Sequence, residues 1–244
     1  MLKFIIARDE NGNDHFQSHL NHSLIELGSR IQYDCIYNRE ASSIFDKYNI
    51  GISRYKADDL KDDDVLVFSH ADIKILDKHF IEKVEMVFNK KPEVGMLGVI
   101  GTTVYDGNGW WTNSHDLHCG QISQGLKNKQ TYQMIRKIGY FDDICVLDGC
   151  IFMIRGSLIN QGLRFDEKTY PNSYHMYDYD MSLTVLQKGY RVAVADIGVE
   201  HASEGPLGES WQMNNKRLRD KWTKKGYQFP LKASDIIPVI NTVI

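Results

Sequence analysis

Val65-Leu66-Val67-Phe68-Ser69-His70-Ala71-Asp72 decides the reading of this chain. An unbroken run of apolar residues marks a strand covered on both faces, as in a parallel sheet. The polar residues that follow put a carboxylate at the strand's carboxyl end, where open α/β sheets bind ligands. Upstream, Ile44, Tyr48, Ile52 and Tyr55 line one helical face that Ser42 or Ser43 can cap. Residues 31–37 form a weaker strand. Phe16, Leu20, Leu24 and Leu27 repeat at helical spacing before Gly28, and Phe4-Ile5-Ile6-Ala7 reads as a buried strand. Downstream, Asp77 opens a helix with Phe80, Val84 and Val87 or Phe88 inward. Lys91-Pro92 closes it, and residues 94–100 form the next strand. This β-α-β-α-β-α-β order predicts an α/β fold: one domain with a mostly parallel, Rossmann-like sheet and helices on both faces.

Beyond residue 100 the rhythm breaks. Residues 101–143 carry Gly107, Gly109, Gly120, Gly125, Trp110 and Trp111 without a sustained period, and read as an irregular functional stretch. Residues 144–147 and 151–155 are strands, 177–188 a helix ending at Gly189, and 191–195 and 197–200 strands again. Trp211, Asn215, Leu218 and Trp222 share a face of a late helix. The segment 226–244 ends in an apolar run that is too short to span a bilayer. Docking on its own domain, homo-oligomer pairing and peripheral membrane contact are its three readings.

Composition narrows the function. The 244 residues are 42% apolar and 25% charged, with a net charge of −3, which gives no electrostatic reason to expect nucleic acid as a partner. Cys35, Cys119, Cys145 and Cys150 form no C-x-x-C pair and suggest no disulfide scaffold in a chain this long. With no secretory signal legible, the expected location is the cytoplasm.

Four clusters could carry chemistry, and each has a plainer alternative. Asp72 is a strand-end carboxylate, or a loop acid capping the next turn. In Tyr177-Asp178-Tyr179-Asp180, acids at a helix start either suit the helix dipole or supply a general base. An Asp with the ordinary pKa of about 3.9 is ionised at neutral pH and able to accept a proton. His201, in Glu200-His201-Ala202-Ser203, is a metal ligand or a surface histidine. His115-Asp116-Leu117-His118-Cys119 has no fourth ligand at zinc spacing and reads as a polar loop.

Together these pieces resemble the GT-A glycosyltransferases of the family 2 type, and among them the branch typified by the streptomycin biosynthesis protein StrF. The likeness is carried by Lys47-Tyr48-Asn49-Ile50-Gly51-Ile52, Val65 through Ile73, Val94-Gly95-Met96-Leu97-Gly98, Leu147-Asp148-Gly149-Cys150, Phe165-Asp166-Glu167, Tyr177-Asp178-Tyr179-Asp180, Gly189-Tyr190-Arg191-Val192 and Val199-Glu200-His201. It implies a GT-A domain over 1–225, with a nucleotide-sugar half at about 1–100 and an acceptor half at about 101–225.

The resemblance also implies roles. The family's D-x-D motif falls on His70-Ala71-Asp72, with His70 in place of the first acid. Asp72 and His201 would hold a divalent cation, Mn²⁺ or Mg²⁺. Asp178 would be the catalytic base, Tyr177 standing where the family has glutamate. Asn38, Asn49, His70, Asp72, Asp148 and Gly149 would face the donor. Trp110, Trp111 and Asp180 would face the acceptor. The implied activity is hexosyl transfer, with inversion, from a nucleoside-diphosphate sugar to a saccharide or lipid-linked saccharide in glycan or polysaccharide synthesis. Two alternatives stand beside it. A nucleotidyltransferase would need a better phosphate loop than Asn11-Gly12-Asn13. A non-catalytic sugar-binding module is favoured by the replaced first acid.

Overall fold

Strand β1 (Leu2–Ala7) is buried from Leu2 to Ile6, in a computed structural model that describes residues 1–8, 14–125, 132–135, 137–202 and 208–238. Helix α1 (Asp14–Leu27) buries Leu20 and Leu24 and leads to β2 (Ile31–Ile36). Helix α2 (Ile44–Ala57) is capped by Ser43, whose hydroxyl accepts from the Asp46 amide at 3.1 Å, and it turns Ile44, Tyr48, Ile52 and Tyr55 inward as their spacing demands. Strand β3 (Val65–His70) is buried from Val65 to Ser69 and runs through a turn at Ala71 and Asp72 into β4 (Ile73–Ile75). Helix α3 (Phe80–Lys90) and β5 (Val94–Gly98) follow.

The strand expected over 94–100 breaks at Val99, and β6 (Ile100–Thr102) leaves for a second sheet. The stretch expected to be irregular builds much of that sheet. It contains β7 (Val104–Tyr105), β8 (His118–Gln124) and β9 (Tyr132–Ile135). Gly120 is the reason that pattern reading failed here. It sits inside β8 at φ 100°, and a Cβ there would lie 2.0 Å from the Val99 carbonyl oxygen. The glycine permits a close strand crossing and does not end a strand.

The chain continues through β10 (Val146–Leu147), β11 (Ile151–Arg155), α4 (Gly156–Asn160), α5 (Tyr177–Gln187), β12 (Arg191–Val194), β13 (Val199–His201), α6 (Glu209–Lys224), β14 (Leu231–Lys232) and α7 (Ala233–Ile236). The main sheet has the order β12-β5-β11-β3-β1-β2. Its pairs are parallel except where β11 inserts antiparallel between β5 and β3. The second sheet, β10-β6-β8-β13-β4 with β9 on β8, is antiparallel except where β13 meets β8. The main sheet keeps the mostly parallel pairing expected from the element order, but the antiparallel β11 and the second, largely antiparallel sheet make the architecture a mixed α/β one. Strand order alone does not reveal that β11 returns between two neighbours.

One continuous hydrophobic cluster joins both sheets, from Leu2 to Ile236. It includes Leu231, Ala233 and Ile236 of the expected tail, and Leu231 pairs with Tyr105. This part of the segment docks on its own domain. Residues 239–244 and Asn11-Gly12-Asn13 lie outside the described residues. Among the described residues no helix is long and apolar enough to cross a membrane.

Candidate active site

Four segments far apart in sequence meet at the carboxyl end of β3. The first is His70-Ala71-Asp72, leaving β3 toward β4. The second is β13, which lies antiparallel to β4 with His201 opposite Ile73, while the Ala202 amide donates to the Asp72 carbonyl at 3.0 Å. The third is the turn Asp148-Gly149-Cys150 between β10 and β11, held to β3 by the His70 amide donating to the Cys150 carbonyl at 3.0 Å. The fourth is the start of α5. There Met176 takes the left-handed conformation, φ 70°, immediately before Tyr177. Strained backbone of this kind persists where the surroundings enforce it, often at functional sites.

Three ligand atoms converge. His70 Nδ1 lies 3.3 Å from His201 Nε2, His201 Nε2 lies 3.4 Å from Asp72 Oδ1, and His70 Nδ1 lies 3.9 Å from that same oxygen. A point equidistant from all three is about 2.1 Å from each, the bond length of a small divalent cation to imidazole nitrogen or carboxylate oxygen. The donor set thus fits the implied cation. Asp148, Cys150 and His201 form a second group of closely spaced donors that shares His201. The cluster meets solvent on one side: the His70 and Asp72 side chains keep 28% and 31% of their surface, while His201 keeps 10%.

Gly149 is the pivot between this cluster and α5. A Cβ there would lie 2.1 Å from Tyr177 Oη and 2.8 Å from Asp178 Oδ2, so only glycine lets α5 come this close. The Tyr177 hydroxyl donates to the Gly149 carbonyl at 2.9 Å, and its oxygen lies 2.6 Å from His70 Nε2. Asp148 is oriented by the Trp110 indole N–H at 3.1 Å and by the Cys150 amide at 2.9 Å.

Charge shapes the chemistry. Burial works against ionisation of Asp72, but contact with His201 and its charge outweigh this and hold the carboxyl down at about 2. Burial also opposes a proton on His201, yet the hydrogen bond and charge of Asp72 raise its affinity for one. His70 is pushed down to about 4 by burial and then by the charge of His201. Asp178 goes the other way. Burial, then the charge of Asp148, push its carboxyl up to about 8, against hydrogen bonds from the Tyr179, Asp178 and Gly149 backbone. The sequence expectation of an ordinary, fully ionised Asp178 at neutral pH is corrected accordingly: its environment keeps the proton on.

The other expected site residues have partners of their own. Trp110 is buried, 2% exposed, and its ring is no platform for a sugar; it orients Asp148. Both carboxylate oxygens of Asp180 face α6, accepting from Lys221 Nζ at 2.6 Å and Trp222 Nε1 at 2.9 Å, so its expected acceptor contact is replaced by a tie between two helices. The Asn49 amide bonds the Phe165 backbone, donating at 2.9 Å and accepting at 3.0 Å. Asn38 accepts from Lys47 and from Tyr174. Trp111 is partly exposed and leans on Trp211, ring centres 5.8 Å apart.

A family model described as a glycosyltransferase-like family matches residues 4–225. The chain belongs to that family. The match spans both sheets and all four segments of the cluster, and it stops short of the docked segment that carries β14 and α7. It establishes membership of the glycosyltransferase-like family without singling out the StrF-type branch. A comparison with curated proteins finds no match. Within this glycosyltransferase-like fold, sequence reasoning missed three residues. Tyr177 reads from the sequence only as a replacement for glutamate, and its hydroxyl, next in sequence to Asp178, is the signal. The Cys150 thiol stands beside Asp148 and His201. Trp211 shares a helix face with Asn215, Leu218 and Trp222 in the sequence, and nothing there places it against Trp111.

Proposed function

We propose that this protein transfers a sugar from a nucleoside-diphosphate donor to an acceptor hydroxyl, with inversion and with help from a divalent cation. The convergence of His70 Nδ1, Asp72 Oδ1 and His201 Nε2 beside Gly149 and Asp178 carries this reading. A cation held there would offset the charge that builds on the diphosphate oxygens as the nucleoside diphosphate leaves. Two imidazoles and one carboxylate suit Mn²⁺ at least as well as Mg²⁺, which prefers oxygen ligands.

Asp178 is the base. The acceptor oxygen bonds to the anomeric carbon, the bond from that carbon to the diphosphate oxygen breaks, and the acceptor's proton goes to Asp178. A carboxyl tuned toward neutrality has more drive to take that proton than one near 4. Asp148, steadied by Trp110, borders the donor sugar. Trp111 with Trp211 offers an aromatic surface for the acceptor ring. On this reading the nucleotide-sugar half is about 1–100 and the acceptor half about 101–225.

The test is transfer with a panel of nucleoside-diphosphate sugars in Mn²⁺. Asp178→Asn is expected to lower kcat by about 10²–10⁴-fold with little change in donor affinity. Full turnover in that variant removes the base assignment. Because Asp178 must be ionised to act, kcat/KM rises with pH toward about 8, and higher cation concentration shifts the rise to lower pH. A flat profile between pH 6 and 9 counts against the role.

A further inference from the structure

Tyr177 Oη has a single hydrogen and two neighbours. The Gly149 carbonyl, 2.9 Å away, only accepts, so it receives that hydrogen. The Tyr177 oxygen is then left to accept from His70 Nε2 at 2.6 Å, which places the imidazole hydrogen on Nε2. The far side of the ring agrees. Asp72 Oδ1 is an acceptor 3.4 Å from His201 Nε2, so His201 Nε2 carries a hydrogen in the cation-free protein. His70 Nδ1 lies 3.3 Å from that nitrogen, and a hydrogen on both would set two donors face to face.

We propose that Tyr177 is a positioning residue that locks His70 in the Nε2–H tautomer, so that Nδ1 presents its lone pair to the cation beside Asp72 and His201. His70 thereby becomes a ligand in its own right. A ligating histidine characteristically donates its second ring N–H to a fixed acceptor, and here the acceptor is a phenol oxygen held by a backbone carbonyl. The link runs Gly149 carbonyl, Tyr177 hydroxyl, His70 ring, cation. Gly149 completes it, because any side chain there would push Tyr177 away. The inference rests on the proposed cation site and names what orients one of its ligands.

Tyr177→Phe tests it by removing one oxygen. The ring stays packed against Phe45 and Tyr48, with centres 6.2 Å and 5.7 Å away. Two measurements separate the claims. Nitrogen NMR of ¹⁵N-histidine protein without cation, with His70 assigned through His70→Ala, is expected to show the Nε2–H form in the wild type and a mixture in Tyr177→Phe. Mn²⁺ affinity, read from the electron paramagnetic resonance of free Mn²⁺, is expected to fall about 10–100-fold in Tyr177→Phe. An Nδ1–H form in the wild type, or unchanged Mn²⁺ affinity in Tyr177→Phe, overturns the lock and leaves the cation site standing. A wild-type protein that takes up no Mn²⁺ removes both together.

Discussion

Asp178 is held where its ionised form is penalised by burial and by the charge of Asp148. Its folded pKa is raised above the unfolded value. Its contribution to stability is therefore fully present below about pH 4 and is lost as pH rises toward about 8. Asp178→Asn removes the penalty, so the inactive variant is expected to melt higher than the wild type at pH 8 and to lose that advantage at pH 4–5. A gain of about 2 kcal/mol would read as roughly 4–8 °C. A variant that melts lower at pH 8 contradicts the raised pKa. Gly149→Ala probes the same corner by displacing both Tyr177 and Asp178. A shift on the order of 1 Å there is expected to lower kcat/KM about 100-fold, measured alongside a circular dichroism spectrum that stays native. At this scale much was legible. Asp72 and Asp178 stand at a strand end and a helix start, positions that sheet architecture reserves for ligands. The raised pKa was not legible, because it comes first from burial that only the fold creates and then from the charge of Asp148, thirty residues away.

Helices α5 and α6 are joined by a buried polar knot. Lys221 reaches Asp180 at 2.6 Å and Asp166 at 2.8 Å, while Trp222 donates to Asp180 at 2.9 Å. Truncating Asp180 leaves the buried Trp222 indole N–H without its acceptor and leaves Lys221 with Asp166 alone. Asp180→Ala is expected to destabilise the fold by about 3 kcal/mol, a fall of roughly 6–12 °C in Tm. Donor affinity of the protein that remains folded should be unchanged, and a selective loss of acceptor KM at native Tm would restore the role expected from sequence. The acids of Tyr177-Asp178-Tyr179-Asp180 thus divide: Asp178 lies against Gly149 and near Asp148, and Asp180 holds the helix to α6. Their two-residue separation places them on different sides of α5, a fact available from helical geometry. What lies on each side was not, since α6 is remote in sequence. Element bounds were legible where runs were long, as in β3, β11 and α5. They were lost where Gly120 sits inside a strand and where β5 passes straight into β6.

Both sheets and the docked C-terminal segment share one hydrophobic cluster, so the molecule should respond to ligand and truncation as a unit. A nucleoside diphosphate with Mn²⁺ is expected to raise Tm by mass action, and His201→Ala to abolish the Mn²⁺-dependent part. An equal rise with and without Mn²⁺ argues against the shared site. Removing residues 227–244 takes Leu231, Ala233 and Ile236 out of the core. At about 1.5–3 kcal/mol for each large apolar side chain, this is expected to lower Tm markedly in thermal melts. The α/β class was readable from element order, whereas the mixed strand directions were not: β11 enters between β5 and β3 from much later in the chain.

His70 and Asp72 are made early and His201 more than a hundred residues later, on a strand seated between β4 and β8. A nascent polypeptide still on the ribosome before residue 201 therefore holds two of the three proposed cation ligands. On the proposed cation site, metal capture would act as a chronometer for synthesis, registering the moment at which the last ligand-bearing strand joins its sheet.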